Sequence, residues 1–511
     1  MSELLNIMPM LGDHLAAHVL LSVSAIALGI AVALPLAVWA SRSPTVAKAT
    51  LGFASLVQTV PALALLALFF PILLSLRAVF GEDLPTLGFL PALLALALYA
   101  LLPILRNAVT AQANLDPGVI EAAHGVGMND WQRLRLVEAP LVAPYVMAGI
   151  RTAAVWTVGA ATLATTIGQK SLGDPIFAGL QTQNWVLVVA GCIGSAGLAL
   201  AADAILGMIE RGLATRRRGL TIGGLAALLF GVTLALNSQL DGGEDRRVVI
   251  GAKGFSEQYI LARLIGQRLE QAGYTVDYRD GLGSAIAHQA VATGAIDVLV
   301  DYTGTIWTNH MDRQDNPDRD KMLAEIIAWE NRTSGAHVLG RLGFENAYGL
   351  AMRRDRAEAL GIRSIEDLAR TAPKMTIGGD PEFFERPEWH AVRRTYGLRF
   401  AYQRNFAPTF MYNALESGEA DVISGYTSDG RIEADDLVIL ADPEAAFPNY
   451  DAIILLAPKT GKNANLVTAL MPLVGAISVE AMREANFAVD RDVDKLSFDD
   501  AARALAASAG F

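Results

Sequence analysis

One cysteine, Cys192, stands in the whole chain, inside an apolar run, so no internal disulfide forms and no lipoprotein anchor sits there. No phosphate-cradling loop of the form G-x-x-x-x-G-K-S/T is present. Gly461-Lys462 is followed by Asn463 and lacks the upstream glycine. Gly281-Leu282-Gly283 lacks the third glycine of a dinucleotide fingerprint. The opening residues hold no basic stretch, so no cleavable signal peptide is expected. His288, His310, Asp301 and Asp429 show neither triad nor metal-ligand spacing, which argues against an enzyme, a metal centre or any cofactor. An acidic balance, with a net charge of −11, argues against nucleic acid, which needs clustered Lys and Arg.

The charge is unevenly spread. Of the 41 basic and 52 acidic residues, 12 and 11 fall before residue 241, leaving 29 and 41 behind them. A near-neutral, apolar first half therefore precedes a soluble, acidic second half. Six runs of spanning length lie near His18–Trp39, Leu51–Leu76, Leu87–Leu102, Leu141–Ile167, Trp185–Leu206 and Gly219–Leu236. Short connections rich in Lys and Arg face the cytoplasm. Those carrying Arg42 and Lys48, Arg133 and Arg135, and Arg211 and Arg216 to Arg218 fall on one side if the runs alternate. Glu82, Asp83, Lys170, Asp174 and an N-terminus with Glu3 and Asp13 fall on the other. The chain after the sixth run is then outside as well.

Glu121 to Pro140 (EAAHGVGMNDWQRLRLVEAP) is a charged insert between two apolar runs, and its charges are too costly for lipid. It reads as a short helix in water, held to the membrane by Trp131, Leu134, Leu136 and Val137. Gly125 and Gly127 break the helix before it, and Pro140 starts the helix after it. Glu121-Ala122-Ala123, then Gly127, then Val137 and Pro140, resemble the EAA motif of ABC importer permeases in every spacing. Val137 stands for the usual Ile and Ala139 for Leu. The resemblance implies a coupling helix, near 116–140, that docks into a separate ATPase subunit.

Arg151 lies ten residues into the fourth run, where pairing with another helix or snorkelling is the expected role. Asp203 in the fifth run is read the same way. The words around them, with Ile167, Gly168, Leu172, Gly173 and Asp174 as IG-x-x-x-LG-D, resemble permeases of the glycine betaine/choline/carnitine importers. The sixth run is extra to a five-span core, and residues 237–245 form a linker. The expected division is a permease over 1–215, a tether and linker over 216–243, and a binding domain over 244–511.

From Arg247 the pattern becomes βαβ: a buried strand RVVIGAK, a helix ending at Gly273, a strand from Tyr274, then a helix and the strand AIDVLVDYTG. Such alternation gives a parallel sheet with helices on its faces, its ligands sitting at the carboxyl ends of the strands. A second unit starts near Glu345, and FPNYDAIILLA reads as a strand returning to the first. The expected fold is an all-α membrane permease followed by a two-lobed α/β domain of the periplasmic-binding-protein type II kind. Lobe 1 takes 244–343 and 427–511, and lobe 2 takes 344–426. GFSEQ, DYTGT, ENAYGLAM, DPEFFERPEW and GYTSDGRI resemble the binding domains for quaternary ammonium osmolytes.

A trimethylammonium group offers no strong donor and is held by aromatic faces, at roughly 0.5–2 kcal/mol per ring. By resemblance, Tyr302, Tyr348 and Tyr426 match cage aromatics, and Phe406 is placed by approximate alignment. Phe255 is a further ring candidate. Gln258, Ser284, Thr305 and Asn346 stand at the strand mouths as donors for the ligand's polar end. Trp307 and Trp389 read as core or rim. The resemblance implies an inner-membrane importer subunit for glycine betaine, choline, carnitine, proline betaine or ergothioneine. It would work as a homodimer with two ATPase subunits, in contact with lipid. The alternative is a membrane-tethered sensor for the same ligands, but no output module is seen.

Overall fold

A computed structural model describes residues 11–81, 84–182, 184–237, 246–313, 315–406, 408–491 and 493–510. Glu3, Glu82, Asp83 and nearly all of the expected linker lie outside the described residues. The chain divides into two compact units, Met1–Ile176 with Val186–Gly242, and Phe177–Trp185 with Gly243–Phe511.

The first unit is helical. Its helices are α1 (Leu11–Arg42), α2 (Pro44–Thr59), α3 (Ala62–Phe80), α4 (Phe89–Ala113), α5 (Pro117–Gly125), α6 (Ala139–Ala161), α7 (Trp185–Ala214) and α8 (Arg218–Asn237). Among the described residues six helices are long and apolar enough to cross a membrane. The run expected as one span over Leu51–Leu76 is instead two helices. Extended backbone at Val60 and Pro61 ends α2 before α3 begins, because the residue before a proline is pushed out of the helical region. Small residues let the helices approach closely. A Cβ on Gly149 of α6 would come within 2.8 Å of both the Asn107 side chain and the Pro103 carbonyl of α4.

The docking segment also differs from expectation. Glu121, Ala122 and Ala123 sit on α5, capped by Asp116 with Pro117 in its first turn. Gly127, at φ +81°, makes the break, a left-handed conformation that glycine adopts without strain. A new helix then starts at Asp130 under an Asn129–Gln132 capping box and runs through a π-turn at Leu134–Glu138 into α6. Pro140 therefore lies inside a continuous helical stretch and does not start one. The buried Glu138 carboxylate accepts from Gln112 Nε2 of α4 at 2.9 Å and from Arg133 Nε at 2.6 Å, which fixes the turn. Glu121, Ala122, Gly127, Pro140, Trp131 and Leu136 are exposed, and Ala123 is buried.

Arg151 is paired between helices. Asp203 accepts from its Nε and Nη2 at 2.9 and 2.8 Å, and Glu210 from its Nη1 at 2.6 Å. Gly207 lies between those two acids and makes room for the guanidinium, which a Cβ there would meet at 3.3 Å. The IG-x-x-x-LG-D word is a tight turn. Gly168 (φ +74°) ends a 3₁₀ helix, and a Cβ on Gly173 would overlap the Thr162 carbonyl at 1.8 Å. Asp174 closes the turn by accepting from Thr165 Oγ1 at 2.6 Å and Ser171 N at 3.0 Å.

The second unit has two five-stranded sheets. The strands are β1 (Arg247–Lys253), β2 (Thr275–Leu282), β3 (Val298–Tyr302), β4 (His337–Glu345), β5 (Tyr348–Arg353), β6 (Thr376–Gly379), β7 (Tyr402–Asn405), β8 (Val422–Tyr426), β9 (Leu437–Ile439) and β10 (Asp451–Leu456). The first sheet runs β2-β1-β3-β10-β4 and the second β7-β6-β8-β5-β9. Strand β10 is the expected returning strand, antiparallel to both β3 and β4. The return comes later than expected, however. Strand β9 pairs with β5, so lobe 2 keeps the chain through Ile439, well past Tyr426. Helices α9 (Ser256–Gln271), α10 (Ser284–Ala292), α11 (Arg319–Thr333), α12 (Val479–Asp490) and α13 (Phe498–Ser508) belong to lobe 1. Trp307 and Trp389 are both buried, so they serve as core.

Candidate functional site

The chain crosses between the lobes twice, and the site forms where the crossings meet the strand ends. The first crossing is Asn346-Ala347, between β4 and β5. Tyr348 opens β5 and stands directly across the antiparallel ladder from Tyr426, the last residue of β8. Directly opposed residues share a face, so the two rings meet with centroids 4.9 Å apart and hydroxyls 3.2 Å apart. Tyr302 ends β3 in lobe 1. Phe255, in the turn after β1, lies between the two groups, 6.2 Å from Tyr302 and 6.4 Å from Tyr426, parallel to the latter within 2°. Four rings predicted from sequence thus come together from four separate segments.

Tyr450 and Phe383 extend the cluster and were not anticipated. Tyr450 meets Tyr348 edge-on at 5.7 Å, and Phe383 meets it at 5.3 Å. Tyr450 was visible only as part of a returning strand, and Phe383 only as part of a motif word. Phe406 goes elsewhere. It packs with Met411, Tyr412 and Leu415 in a separate apolar cluster of lobe 2, against Gly378.

The polar candidates divide in the same way. Gln258 spends its groups inside the fold: Nε2 donates to Val300 O at 3.1 Å and to the Tyr302 oxygen at 3.0 Å, and Oε1 accepts from Lys253 N at 3.2 Å. Asn346 donates Nδ2 to Glu257 Oε1 at 3.0 Å, and its buried Oδ1 has no partner among the described residues. Thr305 is buried just beyond β3, and Ser284 is half-buried at the start of α10.

Three charged residues complete the surroundings and were missed, although all lie in the motif words or beside them. Glu257, fully buried, accepts from Tyr302, Asn346, Ser428 and Asn486. Burial pushes its carboxyl above the ordinary range, and the Ser428, Tyr302, Asn486 and Asn346 donors pull it back only partly. Lys253 pairs with Asp301 at 2.5 Å, and its Nζ lies 5.4 Å from the Tyr302 ring centre. Burial alone would raise Asp301, but Lys253, then His288 and His310, outweigh it, and the carboxyl is held below its ordinary value. Arg386, also buried, has its guanidinium carbon 5.2 Å from the Tyr348 ring centre and a buried Nε without a partner among the described residues. Its neighbours Glu382 and Glu388 face its other nitrogens. The signal for all three was a formal charge inside a word otherwise read as apolar or aromatic.

Burial raises the phenols of Tyr302, Tyr348 and Tyr426, so all three stay uncharged. His288 and His310 stack at 3.9 Å beside Asp301, with His288 Nε2 at 2.7 Å from Glu330 Oε1. They form a packing pair, His288 buried and His310 half-buried, and among the described residues no group of His, Cys, Asp and Glu is arranged to hold a metal.

Residues 246–508 match the substrate binding domain of the ABC-type glycine betaine transport system, and residues 25–215 match the binding-protein-dependent transport system inner membrane component. The ergothioneine transport permease/ergothioneine binding protein EgtU of Helicobacter pylori is 31% identical over 453 residues, 84% of this chain and 78% of that protein. The glycine betaine/carnitine/choline transport system permease protein OpuCB of Bacillus subtilis is 41% identical over 194 residues, 38% of this chain and 84% of that protein. The carnitine transport binding protein OpuCC of Listeria monocytogenes is 29% identical over 257 residues, 49% of this chain and 83% of that protein.

Proposed function

The chain belongs to the ABC importers of the glycine betaine type, with permease and binding domain fused in one multi-pass polypeptide, and from that membership we propose that it captures and imports a quaternary ammonium compound. The observation that carries this reading is the ring set Phe255, Tyr302, Tyr348 and Tyr426, which four segments deliver to one place. A methylated ammonium is weakly hydrated and cannot be satisfied by acceptors alone. Several quadrupoles around it replace its water at roughly 0.5–2 kcal/mol per ring. Arg386, whose buried Nε has no partner among the described residues, is the donor for a ligand carboxylate; Asn346 offers its Oδ1 as a neutral acceptor, and Thr305, just beyond β3, is kept as a neutral donor. Gln258 orients Tyr302 from behind. Ser284 takes an outer position in this reading, and Phe406, packed in its own cluster of lobe 2, takes none.

Energy comes from a separate ATPase subunit, since no phosphate loop exists in this chain. Glu121, Ala122, Ala123 and Gly127 form its docking surface, with Pro140 on the helix that follows. Two copies of the chain pair with two ATPase subunits. The binding domain lies outside the cell membrane, a placement supported by the Lys and Arg of the alternate connections. Calorimetry of the purified chain in lipid nanodiscs against glycine betaine, choline, carnitine, proline betaine and ergothioneine tests the trap. Binding of at least one at micromolar or tighter affinity is expected, and silence toward the whole panel refutes the reading.

A further inference from the structure

Glu257 gathers four chain segments on two oxygens. Oε1 accepts from Tyr302 Oη at 2.6 Å and Asn346 Nδ2 at 3.0 Å. Oε2 accepts from Ser428 Oγ at 2.6 Å and Asn486 Nδ2 at 3.1 Å. Tyr302 and Asn486 belong to lobe 1, Asn346 is the first crossing, and Ser428 follows the last residue of β8 in lobe 2. The surrounding contacts hold the same junction. Thr427 N donates to Ala347 O at 3.0 Å, Arg483 Nε to Thr427 O at 2.8 Å, and Asn486 Nδ2 to Ser428 O at 2.9 Å. A Cβ on Gly430 would sit 2.4 Å from that of Phe487, so the loop after β8 is seated on α12 without room to spare.

The direction of the phenolic bond is fixed. Gln258 Nε2 donates to the Tyr302 oxygen at 3.0 Å, which leaves the phenolic proton for Glu257. A phenol that donates to a carboxylate carries more electron density on its ring than one that donates to water. The face of that ring is then a better seat for a cation. Lys253 already occupies a position 5.4 Å from the ring centre.

We infer that Glu257 is a positioning residue that enriches the Tyr302 ring for cation binding and is itself held in place by Asn346, Ser428 and Asn486. The inference rests on the reading of the cleft as a trap for a methylated cation. Its carboxylate is buried at the hydroxyl end of the ring, with all four donors supplied by the chain.

The test compares choline with its uncharged analogue, in which carbon replaces the ammonium nitrogen, by calorimetry on the full chain in nanodiscs. Wild type prefers the cation. Glu257→Gln, nearly the same shape without the charge, lowers the cation-over-neutral ratio by about tenfold, the equivalent of one cation–ring interaction. Tyr302→Phe, which keeps the ring and removes the proton bond, lowers it in the same sense and decides the matter if Glu257→Gln does not fold. Glu257→Asp restores the ratio. Unchanged ratios in Glu257→Gln and Tyr302→Phe, or a ratio in Glu257→Asp no better than in Glu257→Gln, overturn the inference while leaving the trap itself intact. A wild-type chain that binds no methylated cation overturns the trap instead, and this role with it.

Discussion

Replacing Tyr348 by leucine separates what its ring does for the fold from what it does for the ligand. The ring is buried against Tyr426, Phe383 and Tyr450, at centroid distances of 4.9, 5.3 and 5.7 Å. Three aromatic contacts at about 0.5–1.5 kcal/mol each, less what leucine recovers, put the stability loss near 2–3 kcal/mol. For a unit of this size that lowers the melting temperature by about 5–10 °C. Loss of one cage face costs binding about 0.5–2 kcal/mol, and thus roughly a two- to thirtyfold rise in Kd. Tyr348→Phe keeps the ring and gives up only the hydroxyl contact to Tyr426 at 3.2 Å, worth about 1 kcal/mol. Melting curves and calorimetry on both variants in nanodiscs give the two numbers independently. Phenylalanine should bind within about threefold of wild type, and leucine about tenfold more weakly. If leucine binds as tightly as phenylalanine while melting earlier, Tyr348 packs the cleft and does not hold the cation.

Other perturbations reach other parts of the mechanism. Arg386→Gln should weaken glycine betaine and carnitine at least about tenfold while leaving choline, which has no carboxylate, within threefold. Equal losses for all three would remove Arg386 from the ligand's polar end. Glu121→Lys should abolish ATP-driven uptake in proteoliposomes holding the ATPase subunit, with ligand affinity unchanged. Retained uptake would refute docking through α5. His310 has its pKa lowered to about 4, by burial first and then by His288. Its fold therefore favours the neutral ring. The stability this supplies is complete above pH 6.5 and is lost as pH falls toward 4, by about 3 kcal/mol at most. Melting temperatures of wild type and His310→Gln should converge across that window, and curves that stay parallel would refute the assignment.

Much of this protein was legible in one dimension. Apolar runs of spanning length, the EAA word and the βαβ alternation are local patterns, and each follows from periodicity or from the cost of charge in lipid. Breaks were harder. A run through Val60-Pro61 reads as one helix by hydropathy, while proline sterics split it. Pro140 reads as a helix start, while the capping box at Asn129 begins the helix nearly a dozen residues earlier. The place where the chain returns to lobe 1 depends on which sheet edge β9 finds, and no local pattern records that.

The sequence by itself determined where the strands lie, with Tyr302, Tyr348 and Tyr426 at their ends, and the resemblance of the surrounding words put those rings forward as candidates. Only the tertiary structure decided what surrounds them. Tyr348 faces Tyr426 because β5 and β8 pair in that register, and Phe406 leaves the set because Gly378 receives it. Glu257, Arg386 and Lys253 became visible only when segments far apart in the chain closed around their charges. The physical reason is that a buried charge is tolerated only with partners, and those partners come from the fold rather than from neighbouring residues.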